Sequence, residues 1–254
     1  FKSYLRKQQF VQASDSLIRK EAKTLEKLLK QEGTDKALVN RLLMGEDLTQ
    51  AELAQIPQAI QDVVNRMRLK INNNSILIKD ELGLPENSRL AAVLDPEKGG
   101  AYITRTFEFS TNPKWSKDIT KAIKGDLPAT PHNADVIDAV QNARLHLARN
   151  NPDLSPEQIN ALLMDMIERG KKGNSLDILG EFISEGTGLG AAKILKGRKD
   201  LDRPILDFLG EVKDPVRNFT ETMTNQNKLL AKSRYINDVR KFAEDNLGRE
   251  VKLG

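Results

Sequence analysis

Residues 2–31, KSYLRKQQFVQASDSLIRKEAKTLEKLLKQ, contain no glycine or proline, and the first glycine of the chain is Gly33. Leu17/Ile18, Leu25 and Leu28/Leu29 recur at the three- and four-residue spacing that puts side chains on one face of a helix. The stretch therefore reads as one long helix. Its charge is lopsided. Lys2, Arg6, Lys7, Arg19, Lys20, Lys23, Lys27 and Lys30 stand against three acids, a net of +5 over residues 1–30.

The same texture continues outward. A helix over about 35–44 ends at Gly45, a residue able to take the left-handed conformation that closes helices. Thr49 and Glu52 have the spacing of a capping box, and Pro57 can open the helix that follows. That helix runs through Val63/Val64 and Met67 towards Leu82, with Asn72-Asn73-Asn74 as a candidate break. Pro128, Pro131 and Pro152 bound a helix of about 133–149. Ser155-Pro156-Glu157-Gln158 starts another, which carries Ile159, Leu162/Leu163, Met166 and Ile167 and is expected to stop at Gly170. Residues 204–245 read as helical, interrupted at Gly210 and Pro215. The fold class is all-α, an irregular array of eight to ten helices.

One element departs from this pattern. Tyr102-Ile103-Thr104-Arg105-Thr106-Phe107-Glu108-Phe109 is rich in β-branched and aromatic residues, and Ile103, Arg105, Phe107 and Phe109 share a face. It is expected to be a short strand or an extended loop, since a lone strand needs a partner from elsewhere. Trp115 follows, so the segment is also the best aromatic anchor in the chain. These readings divide the chain into a basic helical arm (1–47), a helical segment with the extended element near 102–109 (48–127), and a C-terminal helical segment (128–254).

Composition narrows the chemistry. The 254 residues include no cysteine, which excludes disulfides and Cys-ligated zinc or iron–sulfur centres. The longest apolar run is a handful of residues, such as Leu90–Leu94, too short for a membrane-spanning helix. Only His132 and His146 offer imidazoles, and no metal-binding His or EF-hand spacing surrounds them. No G-x-S-x-G elbow is present. The pairs Asp135/Asp138 and Glu181/Glu185 have the spacing of solvated helix faces. Gly186-Thr187-Gly188-Leu189-Gly190-Ala191 fits G-x-G-x-x-A, with Asp207 about twenty positions on, but no buried strand precedes it and a helix–helix hinge accounts for it. No catalytic, cofactor-binding or metal-binding residue is assigned.

The net charge of +4 has a structure of its own. Residues 228–254 carry seven bases and four acids, a net of +3, so residues 31–227 hold −4. Basic ends around an acidic middle are a modest signal for a polyanion. Lys193 opens a further basic run, only partly offset by Asp200 and Asp202, that continues through Lys196, Arg198, Lys199 and Arg203. The last four, with Tyr102, Arg105 and Trp115, are the candidate contacts for a polyanion or a protein partner. An ordinary solvated helix surface accounts for the basic stretches as well.

Three blocks carry a family resemblance. The first runs from Leu48-Thr49-Gln50-Ala51-Glu52-Leu53 through Ile56-Pro57 and Val63/Val64 to Met67-Arg68. The second is Gly100-Ala101-Tyr102-Ile103-Thr104-Arg105-Thr106-Phe107 with Asn112-Pro113-Lys114-Trp115. The third is Ile194-Leu195-Lys196-Gly197-Arg198-Lys199-Asp200-Leu201, then Pro204-Ile205, Leu209-Gly210-Glu211 and Lys213-Asp214-Pro215. Together they resemble a helical region of large tailed-phage internal virion (ejection) or polyvalent proteins. The resemblance covers roughly residues 45–240. It implies a structural, non-enzymatic helical scaffold packaged in the capsid or near the portal, delivered with the DNA, and passing into the host envelope or periplasm on ejection. Self-assembly and contact with other virion proteins are implied, with DNA as a further partner. Two other expectations stand beside it: a helical nucleic-acid-associated module, and a non-catalytic spacer of a polyvalent phage enzyme. The chain opens Phe1-Lys2-Ser3 with neither an initiator Met nor an apolar signal segment, and is read as part of a longer polypeptide.

Overall fold

The first and last helices of the sequence fold against each other. A computed structural model describes residues 2–83, 86, 94–96, 103, 105–172 and 202–247. Through them run α1 (Lys2–Glu32), α2 (Lys36–Met44), α3 (Gln50–Ala54), α4 (Gln58–Glu81), α5 (Glu108–Thr111), α6 (Pro113–Lys124), α7 (Ala134–Asn150), α8 (Pro156–Lys172), α9 (Arg203–Phe208) and α10 (Pro215–Leu247), with a 3-10 turn at Pro131–Asn133. The all-α class stands. Two compact units form: 1–104 with 213–254, and 105–212. The cuts fall at 104/105 and 212/213, not at 47/48 and 127/128. The basic N-terminal helix is no separate arm, because its apolar face is covered by α10 and α4.

In the first unit, α1 runs antiparallel to α10. Lys7 reaches the Tyr235 ring and Arg234 the Phe10 ring near one end, while Leu25 and Leu29 share a core with Phe219 at the other. Helix α4 lies alongside both. Ile60, Val63, Val64, Met67 and Ile71 from α4 fill the core with Ile18, Leu38, Val39 and Leu43. Local chemistry sets the helix ends. Asp35 accepts from the Ala37 amide, Gly45 closes α2 at φ 76°, and Thr49 and Glu52 cap α3 reciprocally. The expected break at Asn72-Asn73-Asn74 is absent. Helix α4 continues through it because Asn74 turns its amide to Asn227 of α10, 2.8 Å away. Asparagine's small intrinsic penalty in a helix is readily offset by such a tertiary bond.

The second unit packs α5 to α9 around Ile119, Val140, Leu147, Leu163, Ile167 and Phe208. Ser155 and Gln158 cap α8 as expected, the Ser155 amide donating to Gln158 Oε1 at 2.8 Å. This helix passes Gly170 and ends at Lys172. Among the described residues the expected extended element shows one antiparallel bridge, Phe107 with Glu211, tightened by the Val212 amide to the Thr106 carbonyl at 2.8 Å. From Glu108 the chain turns helical, and Asn112 with Pro113 then opens α6. The returning chain itself turns out of an α9 end at Gly210, so it offers an edge only around residue 211. Phe107 and Phe109 are buried with ring centroids 5.8 Å apart, and Trp115 packs against their core.

Candidate functional site

Three of the residues singled out in the sequence meet in the second unit. The Glu211 side chain, 1% exposed, lies between Arg105 and Arg203. Arg105 pairs with its Oε1, and Arg203 Nη1 stands 3.1 Å from Oε2 while its Nε is 3.3 Å from Asp207. Trp115 closes the other side, donating from its indole to the Phe208 carbonyl at 3.4 Å. Gly210 lies beneath the indole at φ 69°, and a Cβ there would sit 2.6 Å from the ring and 2.8 Å from the Glu108 Cβ. A carboxylate buried between two guanidinium groups locks the incoming and outgoing chain of this unit together. Removing one partner of such a group strands a charge, at about 3–5 kcal/mol. Arg105 is thus engaged inside the protein, its side chain 12% exposed, while Arg203 is about two-fifths exposed and turned to two carboxylates. Tyr102, Lys196, Arg198 and Lys199 lie outside the described residues, as does the Gly186–Ala191 pattern.

Beside this lock, α7 and α9 border a half-open cleft of about 320 Å³ lined by Asn142, Leu145, His146, Arg149, Arg203, Pro204 and Asp207. His146 Nε2 is 3.0 Å from Asp202 Oδ2. The lining supplies the His146 imidazole, the Asp207 carboxylate and two guanidinium groups but no hydroxyl or thiol to activate as a nucleophile. His132 stands apart, beside the Lys114 ammonium at 3.1 Å. Among the described residues no group of three His, Asp or Glu side chains is placed to hold a metal ion.

The first unit holds a seam of buried polar side chains along α10. Asn218 donates to Asn40 at 2.9 Å, Gln226 to Ser75 at 3.0 Å and Asn74 to Asn227 at 2.8 Å. Ser233 and Arg234 continue the seam to Glu81 at the end of α4. Sequence reasoning missed this seam because polar residues at helical spacing look like a solvated face. Their spacing of four (Asn218, Thr222, Gln226) on a helix with apolar residues all round is the signal that finds it.

On the outer side of α1 lie Arg19, Lys20, Lys23, Lys27 and Lys30, all exposed. The sequence counted them in the +5 of the first helix without singling them out. Helix α10, which carries the other basic end, packs against α1, so both basic ends of the sequence belong to one unit.

The chain matches no known protein-family model, and comparison with curated proteins and with solved structures likewise finds no match. No helix of the described residues is long and apolar enough to cross a membrane.

Proposed function

We propose that this chain is a non-enzymatic helical scaffold of a tailed-phage internal virion or ejection protein, packaged in the capsid and assembling with its own copies or with portal-proximal proteins. The observation that carries the reading is the polar seam of α10. Each neutral hydrogen bond in it contributes about 1 kcal/mol net, so the seam itself adds little to the cost of parting the helices beyond that of their apolar core. The paired side chains Asn40/Asn218 and Asn74/Asn227 favour one alignment of the helices, to which separated helices would return. That combination suits a protein that must unpack and repack in transit. The three sequence blocks that resemble phage internal virion proteins supply the biological setting. Mass spectrometry of purified virions is the test. Abundance in infected cytosol with absence from virions sinks the reading. The second reading, a nucleic-acid-associated module, is favoured by the joining of the two basic sequence ends in one unit.

A further inference from the structure

We propose that the outer face of α1 is a contact surface for the phosphodiester backbone of a nucleic-acid duplex. The inference names a partner that the scaffold reading leaves open, and it stands or falls whether or not the chain is found in virions. Ile18, Leu25 and Leu29 mark the buried side of α1. At about 100° per residue, Arg19, Lys20, Lys23, Lys27 and Lys30 fall within an arc of about 100° on the opposite side. They run for about 16 Å along the axis at a 1.5 Å rise per residue.

Ordinary solvated helices alternate signs along such a face. Here the neighbours are alike: Arg19/Lys23 and Lys23/Lys27 are four apart, Lys20/Lys23 and Lys27/Lys30 three apart. Like charges at these spacings destabilise a helix. The acids of the same stretch leave most of the stripe uncompensated. Glu21 turns to Lys70 of α4 at 2.5 Å, and Glu26 pairs with Lys30 at 2.9 Å. Arg19, Lys20, Lys23 and Lys27 make no ion pair with the described residues. The partial negative charge at a helix C-terminus favours Lys30, but it fades beyond the last turn; Arg19 has Asp15 one turn before it, and Lys20, Lys23 and Lys27 are left without a local reason.

The arc also says what covers it. No aromatic residue lies on it, so bases have nothing to stack on as single strands require. Between Arg19 and Lys30 no large apolar side chain lies on it to enter a bilayer; the exposed Leu17 falls on the helix flank, and Leu5 shares the face only about 20 Å away along the axis. Point-like ammonium groups in a straight row match the dense, regular phosphate charge of a duplex and read no base sequence.

The test is anisotropy of a labelled duplex of about 25 base pairs titrated with the whole chain between about 50 and 200 mM salt. The combined variant Lys20→Gln, Lys23→Gln, Lys27→Gln is expected to bind at least about tenfold more weakly at the lower salt. Its log K against log salt slope should be shallower by about two to three. Lys→Arg at the same positions should keep binding. Lys117→Gln, Lys232→Gln, Lys241→Gln at scattered exposed positions removes equal charge and should leave affinity within about twofold. The proposal is overturned if the wild type does not bind, if the α1 variant binds as the wild type does, or if both triple variants lose affinity equally. Tighter binding to the single strand, or to phosphatidylserine vesicles with none to the duplex, overturns it in favour of those partners. Duplex binding by a chain absent from virions removes the scaffold reading alone.

Discussion

Gly45 and Gly210 share a left-handed backbone, with φ of 76° and 69°, yet their neighbours differ. At Gly210 a Cβ meets the Trp115 ring and the Glu108 Cβ, which are held by core packing and by the bridge at Phe107. At Gly45 it meets the Arg68 guanidinium at 2.7 Å, the far end of a flexible side chain. Gly45→Ala is therefore expected to cost about 1 kcal/mol for the backbone alone. Gly210→Ala adds overpacking and should cost about 2–4 kcal/mol. Urea unfolding measures both, with Trp115, the only tryptophan, reporting on Gly210 and helix content on Gly45. An equal or larger loss for Gly45→Ala would contradict the argument. Both glycines were legible in the sequence as breaks, because left-handed backbone is a local property. The indole above Gly210 was not legible, because that neighbour comes from a distant helix.

Between neighbouring helices the legible features were again the local ones. Thr49/Glu52 and Ser155/Gln158 behave as their spacing demands, whereas Asn72-Asn73-Asn74 was misread because its partner lies on α10. Arg41 bonds Glu52 at 2.5 Å and, with the Thr49 amide and hydroxyl, holds its carboxyl at about 2 instead of 4.5. A depressed folded-state value means that ionised Glu52 stabilises the fold above about 4.5, and that this is lost as pH falls towards 2. Arg41→Gln should raise the Glu52 value and weaken the pH dependence of stability in that window. Carboxyl titration by NMR checks it, and a wild-type midpoint near 4.5 would contradict the geometry. The polar seam gives a second prediction at this scale. Asn218→Ala strands the buried Asn40 amide and should cost about 1–3 kcal/mol, while Asn40→Leu with Asn218→Leu should cost less than the two single Leu changes added together. Strict additivity in that double-mutant cycle would mean that the pair is not coupled.

At the scale of the whole chain, the charge arithmetic was legible but its geometry was not. Residues 1–30 and 228–254 count as basic in any order, and only the antiparallel packing of α1 on α10 places them in one unit. Likewise Arg105, Trp115 and Arg203 were legible as candidates by type, but the buried Glu211 that gathers them needed the fold. The same fold predicts how the chain comes apart. The core around Phe208 is drawn wholly from 105–212, and the core around Met67 wholly from the other unit. The 105–212 segment enters and leaves side by side at the Phe107–Glu211 bridge, the arrangement in which inserted domains fold on their own contacts. Trp115 reports on that segment alone, while the three longest helices among the described residues, α1, α4 and α10, give the other unit most of their helical signal. Gly210→Ala should therefore move the tryptophan transition to lower urea and leave the main circular-dichroism transition in place. If both transitions shift together by the same amount, the two cores unfold as one cooperative body and the division at 104/105 and 212/213 has no energetic meaning.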